Sequence, residues 1–418
     1  MTLNRRQFLS GALSTALLAA LPGCGRRPAT GKVRLTYNTF WTGLDAHTSV
    51  MDWMYRTFRK RHPDIEFEVV QSAGGAQDNG QKLMAELAAG GGPDVLHDTT
   101  YDHVRPGYCL DLTDHIAAWG DRFYSEALAS CTWDGRVSSL PTEYSMVPCI
   151  WNTRLLHDVG EDVPATFEDY MRVGRALKKK GIALTATEVA GGHIFFSVLF
   201  GQADAVQAIA LEEWESEPFR RAVEVLKEIR DAGFLPKNDI EMLFANGASL
   251  FQNDRLGHYM NGAWTLMNEI TSLGVDPALR DRVAFAPFPA VDGARPIRAW
   301  VATKTALNAQ IANDKPKLTA ALAFLELFTS KEAAKLFISD AHSPEGVRYE
   351  LTRQLAGPLL YAFMNSRTQA TSVFTLPNNP GYFGEQSQSR ALPDLFASLD
   401  EGATVKQALS VFAEVLRS

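Results

Sequence analysis

The chain has 418 residues, 46% hydrophobic, 10% aromatic and 21% charged, which suits a large buried core and, at about 150 residues per domain, two domains or three. That hydrophobic content excludes wholesale disorder, and 31 Gly without a triplet period and 20 scattered Pro exclude a collagen-like chain. A formal net charge of −7 without a dense Lys/Arg block argues against a nucleic-acid partner, and four Cys are too few to staple a chain this long.

The first 23 residues read as an export signal rather than as part of the fold. Arg5 and Arg6 precede Gln7-Phe8-Leu9, and an apolar stretch of about a dozen residues follows, too short for the roughly 20 needed to span a bilayer. The Arg-Arg-x-Phe-Leu run resembles a bacterial twin-arginine signal, and Leu21-Pro22-Gly23-Cys24 resembles a lipoprotein cleavage box, in which Cys24 becomes the lipidated N-terminus. Loss of Arg5 and Arg6 with residues 1–23 takes the net charge from −7 to −9. Residues 24–31 then form a flexible tether to a folded body.

The body alternates strand and helix patterns. Residues 33–40 alternate apolar and polar β formers and read as a strand. A helix over 50–62 carries Val50, Met51, Met54 and Phe58 at helical spacing and stops at Pro63. A strand at 65–70, an apolar-faced helix at 81–89 closed by Gly90-Gly91-Gly92-Pro93, and a strand at 94–98 complete the pattern of a parallel α/β sheet. Trp133-Asp134-Gly135-Arg136-Val137 reads as a turn opening a strand, and 146–152 is a further apolar run. Helices are expected at 167–180, 219–232, 318–329 and 331–339, strands at 254–260, 283–288 and 300–307, a loop-rich stretch over 341–390, and helix over 392–417.

In this order the segments resemble the extracellular solute-binding proteins of ABC sugar importers, the family 1 group that includes the maltose-binding protein. The resemblance is carried by Phe58 to Ile65 ("F-x-x-x-x-P-x-I"), Pro93-Asp94-Val95, Leu110-Asp111-Leu112-Thr113-Asp114 and Asp134-Gly135-Arg136 with Leu140-Pro141. Ile150-Trp151-Asn152, Asn261-Gly262-Ala263-Trp264, Ala286-Pro287-Phe288-Pro289 and Ala323 to Thr329 continue it. It implies an α/β fold of the two-lobed periplasmic-binding-protein type, class II, with the solute in a cleft between lobes joined by crossing strands. The crossings fall near 143–150, 298–304 and 343–348. They divide the body into an N-terminal lobe of 32–143 plus 302–343 and a C-terminal lobe of 144–301 plus 344–418. The implied partners are a small carbohydrate or polyol, ABC permease subunits and, through the lipid anchor, a membrane. A monomer in the periplasm or on the outer face of the cell membrane is expected, with no cofactor and no metal.

Sugars present hydroxyl edges and weakly apolar faces, so a sugar cleft needs aromatic plates and polar side chains. Trp41 follows the first strand at the carboxyl edge of the sheet, where open α/β sheets bind ligands, and Asp45 lies four residues on. Asp98, Tyr101 and Asp102 follow the third strand, as ligand contacts or as cap and turn residues. Glu143 and Tyr144 stand at the first crossing, and Trp300 beside Arg298 at the second, as ligand plate or hinge packing. By the resemblance, Trp264 stacks on the sugar. Trp53, Trp119 and Trp214 read as packing residues. His97 and His103 bracket Asp98 and Asp102 without the spacing of a metal site. A glycoside hydrolase using two carboxylates, and a lipoprotein acting only as an interaction module, remain alternatives. Cys109, Cys131 and Cys149 are odd in number, and because twin-arginine substrates fold in a reducing cytosol all three are expected to be free thiols. Replacing Cys24 with Ser is expected to move the protein from the membrane to the soluble fraction, and unchanged retention would contradict the anchor. Since one acyl chain binds only marginally, stable retention requires more than one.

Overall fold

The computed structural model describes residues 31–72, 75–186, 192–202, 205–234, 244–271, 274–376 and 390–417. The export signal and Cys24 lie outside them. Strand β1 (Val33–Thr39) pairs in parallel with β2 (Ile65–Gln71), Val33 opposite Ile65 through Thr39 opposite Gln71. Parallel neighbours need a crossover, supplied by the helix Thr48–Arg61, whose Val50, Met51, Met54, Tyr55 and Phe58 are buried against the sheet. The helix Gly75–Ala88 leads back to β3 (Val95–His97), which lies on the other side of β1.

Further along, the short strands β4 (Thr132–Trp133) and β5 (Arg136–Val137) form a hairpin. Strand β6 (Leu140–Val147) leads into β7 (Cys149–Asn152), which belongs to a second sheet with β8 (Ala183–Thr185), β9 (Leu256–Met260) and β10 (Val283–Ala286), in the order β10-β7-β9-β8. Strand β11 (Ile297–Leu307) runs antiparallel to β3 at one end, meets β12 (Val373–Phe374) at the other, and pairs antiparallel with β6 along its opposite edge. Chain segments thus pass between the sheets on β6–β7 and on β11.

Each sheet carries its own core. Leu35, Tyr37, Met54, Phe58, Phe324, Phe328 and Phe337 pack the first, with the helices Lys315–Phe328 and Lys331–Ser339 returning to it. Trp151, Tyr170, Phe200, Phe219, Leu395 and Phe412 pack the second, which takes in the C-terminal helices Leu392–Asp400 and Val405–Arg417. A third cluster beneath the crossing strands joins Tyr144, Met146, Ile150, Tyr259 and Phe363. This is the two-lobed α/β architecture expected. Trp214 is core, and Trp53 and Trp119 pack against the first cluster.

Three sequence expectations need correction. The stretch 341–390 is not simply loop: it holds the helix Arg353–Asn365, a 3-10 turn Ser366–Gln369 and β12. Gly357 (φ 72°, ψ 167°) kinks that helix just before Pro358, which hid its periodicity. The C-terminal helix is two helices, broken at Gly402 (φ 90°). Trp133 to Val137 is a complete hairpin rather than the opening of one strand. Cys109, Cys131 and Cys149 are free, and Cys131 and Cys149 sit in different cores. Burial pushes the Cys131 thiol up to about 11. Among the described residues no helix is long and apolar enough to cross a membrane.

Candidate functional site

The register of β6 against β11 decides which side chains meet. Thr303 lies opposite Glu143, Trp300 opposite Ser145 and Arg298 opposite Val147. Side chains alternate along a strand and directly paired residues share a face, so Glu143, Ser145 and Trp300 line one side of the ribbon. Tyr144 and Met146 point to the other side, into the third core. Tyr144 donates a 2.8 Å hydrogen bond to Glu126 Oε1 and stacks on Tyr124 at 5.2 Å. One step along a strand reverses the face, so Tyr144 lies on the side of the ribbon away from Glu143.

Glu143 is buried, and Ser343 Oγ donates to its Oε1 at 2.8 Å. His47 Nε2 lies 3.8 Å from the same oxygen, and His47 Nδ1 lies 2.7 Å from Asp45 Oδ1, which also accepts the His47 backbone N–H at 2.9 Å. Burial pushes the Glu143 carboxyl up, with His47 and Ser343 opposing it. Burial also pushes Asp45 upward, yet the hydrogen bonds and charge of His47 win and hold it below the usual carboxylate range.

Trp41 does not present a face to the cleft. Its backbone N–H donates to Thr39 Oγ1 at 3.1 Å. The ring is 3% exposed, with His47 stacked on it at 3.9 Å and 7° and His97 against it at 4.3 Å. Trp41, expected as a ligand plate, stacks on His47 in this structure.

Asp98 leaves β3 in the left-handed region (φ 63°) and is half-buried. Burial and then the Glu143 carboxylate push its carboxyl up to about 7, against the pull of Lys304. Tyr101 opens the short helix Tyr101–Val104, where Thr100 and His103 form the cap, and its ring meets Trp133 at 4.2 Å. Asp102, in the same turn, acts electrostatically on Tyr101 and His103.

From the second sheet, β9 ends in Asn261-Gly262-Ala263-Trp264. Ala263 N–H donates to Ser145 Oγ at 2.8 Å, tying this segment to the ribbon. The Trp264 ring folds back over Gly262, where a Cβ would stand 1.9 Å from Trp264 Cζ3, so only glycine fits. Trp264 then meets Trp300 edge to face at 5.2 Å and 74°. Arg298 is buried with its guanidinium 4.9 Å from the Trp300 centroid, and donates to Ser197 Oγ.

The structure thus brings Glu143, Trp300, Arg298 and Trp264 onto the ribbon face, with Asp98 and Asp45 at its margin. His47, Ser145, Lys304, Trp133 and Ser343 were not foreseen. Ser145 was within reach of strand alternation from Glu143. Ser343, 200 residues from Glu143, had no local signal. The assembly brings together aromatic edges and faces, carboxyl acceptors and hydroxyl and guanidinium donors, the groups that suit a polyhydroxylated solute.

Two carboxyls held up to about 7 by burial, Asp98 and Glu269, the latter opposed by the Tyr259 hydroxyl bond, make stability depend on pH. Unfolded carboxyls titrate near 4, so the folded state retains protons that the unfolded state releases. Their stabilisation is complete below about pH 4, is lost as pH rises to about 7, and levels off above it. Asp98→Asn should flatten the decline of melting temperature between pH 4 and 7 and melt above wild type at pH 8. Superimposable profiles would show that Asp98 is not so held.

A family profile described as "Bacterial extracellular solute-binding protein" matches residues 53–344. No curated protein matches the chain in sequence. Among solved structures it is similar to a chitin oligosaccharide binding protein, with a TM-score of 0.78, 19% identity, and coverage of 92% of this chain and 98% of that one. It is similar to a probable secreted solute-binding lipoprotein from Streptomyces coelicolor, with 0.75, 17%, 93% and 98%. It also resembles maltose-bound T. maritima MalE3, with 0.70, 18%, 92% and 99%. At these identities the likeness is one of fold. The profile covers most of the chain and the fold is that of two lobes around a cleft: the chain belongs to the bacterial extracellular solute-binding proteins.

Proposed function

We propose that the protein captures a sugar, polyol or oligosaccharide between its lobes and delivers it to the permease subunits of an ABC importer. The observation that carries this reading is Trp264, held edge to face on Trp300 and tied through Ala263 to Ser145, two residues from Glu143. An aromatic plate beside a carboxyl and a guanidinium matches the apolar face and hydroxyl edge of a sugar ring. The similar structures are described as binding chitin oligosaccharide and maltose, which favours the same class of solute. In this reading the lobes comprise 32–143 with 302–343, and 144–301 with 344–418. The solute contacts are Glu143, Asp98, Arg298, Trp264 and Trp300, with Tyr101 at the rim and Asp45 behind His47. Capture works by population shift: a solute touching both lobes favours the closed form. Export by the twin-arginine-like signal, lipidation at Cys24 and action as a monomer at the outer face of the membrane complete the proposal. The raised Asp98 carboxyl also suits a hydrolase acid, and turnover of a bound saccharide in a long incubation would favour that second reading.

A thermal-shift screen with mono- and oligosaccharides and polyols tests it. A solute at 100 times its Kd adds about 2.7 kcal/mol of stability. Trp264→Ala should then lower affinity by about 10- to 100-fold while the melting temperature without solute stays nearly unchanged. Loss of that stability with affinity preserved would assign Trp264 to packing and move the site elsewhere.

A further inference from the structure

Trp133 and Tyr101 form a second aromatic pair that the packing of the fold does not use. Trp133 ends β4 immediately before Asp134 and Gly135, both in the left-handed region (φ 46° and 75°), the backbone of a tight hairpin turn that fixes where the ring emerges. Its ring lies 4.2 Å from the Tyr101 ring, inclined by 52°. Both residues are half-buried, and among the described residues neither belongs to or packs against any of the hydrophobic cores. Beside them is a recess of about 20 Å³, room for about one water, lined also by Thr100, Ser138, Ser139 and Lys304. It is too small to hold a ligand within it. It is a polar notch at the foot of an aromatic ledge.

The lining of the recess ties this ledge to the ribbon: Lys304 lies on β11, and Thr99, which also lines it, follows Asp98. Lys304 lines the recess and also acts on Asp98, which in turn lies within the field of Glu143 on the ribbon face. Glu212, which follows a helix packed in the second core, Val206–Ala210, also acts electrostatically on the Tyr101 hydroxyl. Glu212 is itself in the left-handed region (φ 57°), and its neighbour Leu211 is 57% exposed. Along β11, Lys304 and Trp300 are four residues apart, about 13 Å. That separation exceeds a single sugar ring.

We infer that Trp133 and Tyr101 are a second stacking subsite, so that the solute is an oligosaccharide running from the Trp264–Trp300 pair to the hairpin. This inference rests on the sugar reading above and adds a length requirement to it. Thr100, Ser138, Ser139 and Lys304, which line the recess, supply hydrogen-bonding groups for the hydroxyls of the ring on the ledge.

Calorimetric titration of the mature protein with glucose and maltotriose, xylose and xylotriose, and N-acetylglucosamine and tri-N-acetylchitotriose tests the inference. In at least one series the wild type should bind the trisaccharide at least about tenfold more tightly than its monosaccharide. Trp133→Ala should remove that advantage and leave monosaccharide affinity within about twofold, and Trp133→Phe, which keeps a plate, should restore most of it. Melting temperatures of both variants without solute report their folding. Equal weakening of both lengths in Trp133→Ala, or trisaccharide affinity unchanged, would overturn the second subsite with sugar binding intact. So would a wild type that binds monosaccharide as tightly as trisaccharide. Binding of none of the six would overturn the sugar reading and the subsite with it.

Discussion

The antiparallel pairing of β6 with β11 is the constraint on which the rest depends. It sets Glu143 opposite Thr303 and Ser145 opposite Trp300, and the two-residue period of the strand does the sorting. One face becomes polar and aromatic, and the other buries Tyr144 and Met146 under the crossing. A slip of one residue would exchange the faces, putting Tyr144 in the cleft and Glu143 in a hydrophobic cluster, so the burial of Tyr144 and Met146 is what holds the register. The Trp264 segment depends on the same register, since Ala263 is anchored on Ser145 and Trp264 needs both Gly262 beneath it and Trp300 beside it.

Burial dominates the electrostatics of this face. Glu143 and Asp98 are both driven upward by burial, and Lys304 is driven downward by its own. His47 lies between Asp45 and Glu143 and is pinned by the ring of Trp41, so the partial pairing has a fixed geometry. Burying a carboxyl carries a desolvation cost, and on the proposed reading a solute with hydroxyl donors relieves it. Such a site binds weakly to apolar solutes and selects those whose hydrogen bonds match its own, because a mismatch leaves the same groups unpaired.

Much of this architecture was legible from residues alone, where local chemistry decided it. The first βαβ unit followed from alternation, helical spacing and Pro63, and the helix Lys331–Ser339 was foreseen at both ends. Asp134-Gly135 announced a turn, although not that two short strands would close around it. Where tertiary context decides, local signals said less. Trp41 follows a strand at a sheet edge, and nothing local announced that its ring would pack between His97 and His47. Tyr144 adjoins Glu143 in sequence and is opposite to it in space. The helix Arg353–Asn365 was masked by Gly357-Pro358, and the bond from Ser343 to Glu143 joins crossings 200 residues apart.

The central claim is that the Glu143–Ser145–Trp300 face, roofed by Trp264, holds the solute. A crystal structure of the protein with a saccharide identified by thermal shift tests it most directly. The account predicts a sugar ring against Trp264, with a hydroxyl within hydrogen-bonding distance of Glu143 and residues of both lobes around it. Solute bound away from this face, on the Tyr144 side of the ribbon or outside the lobes, would contradict it.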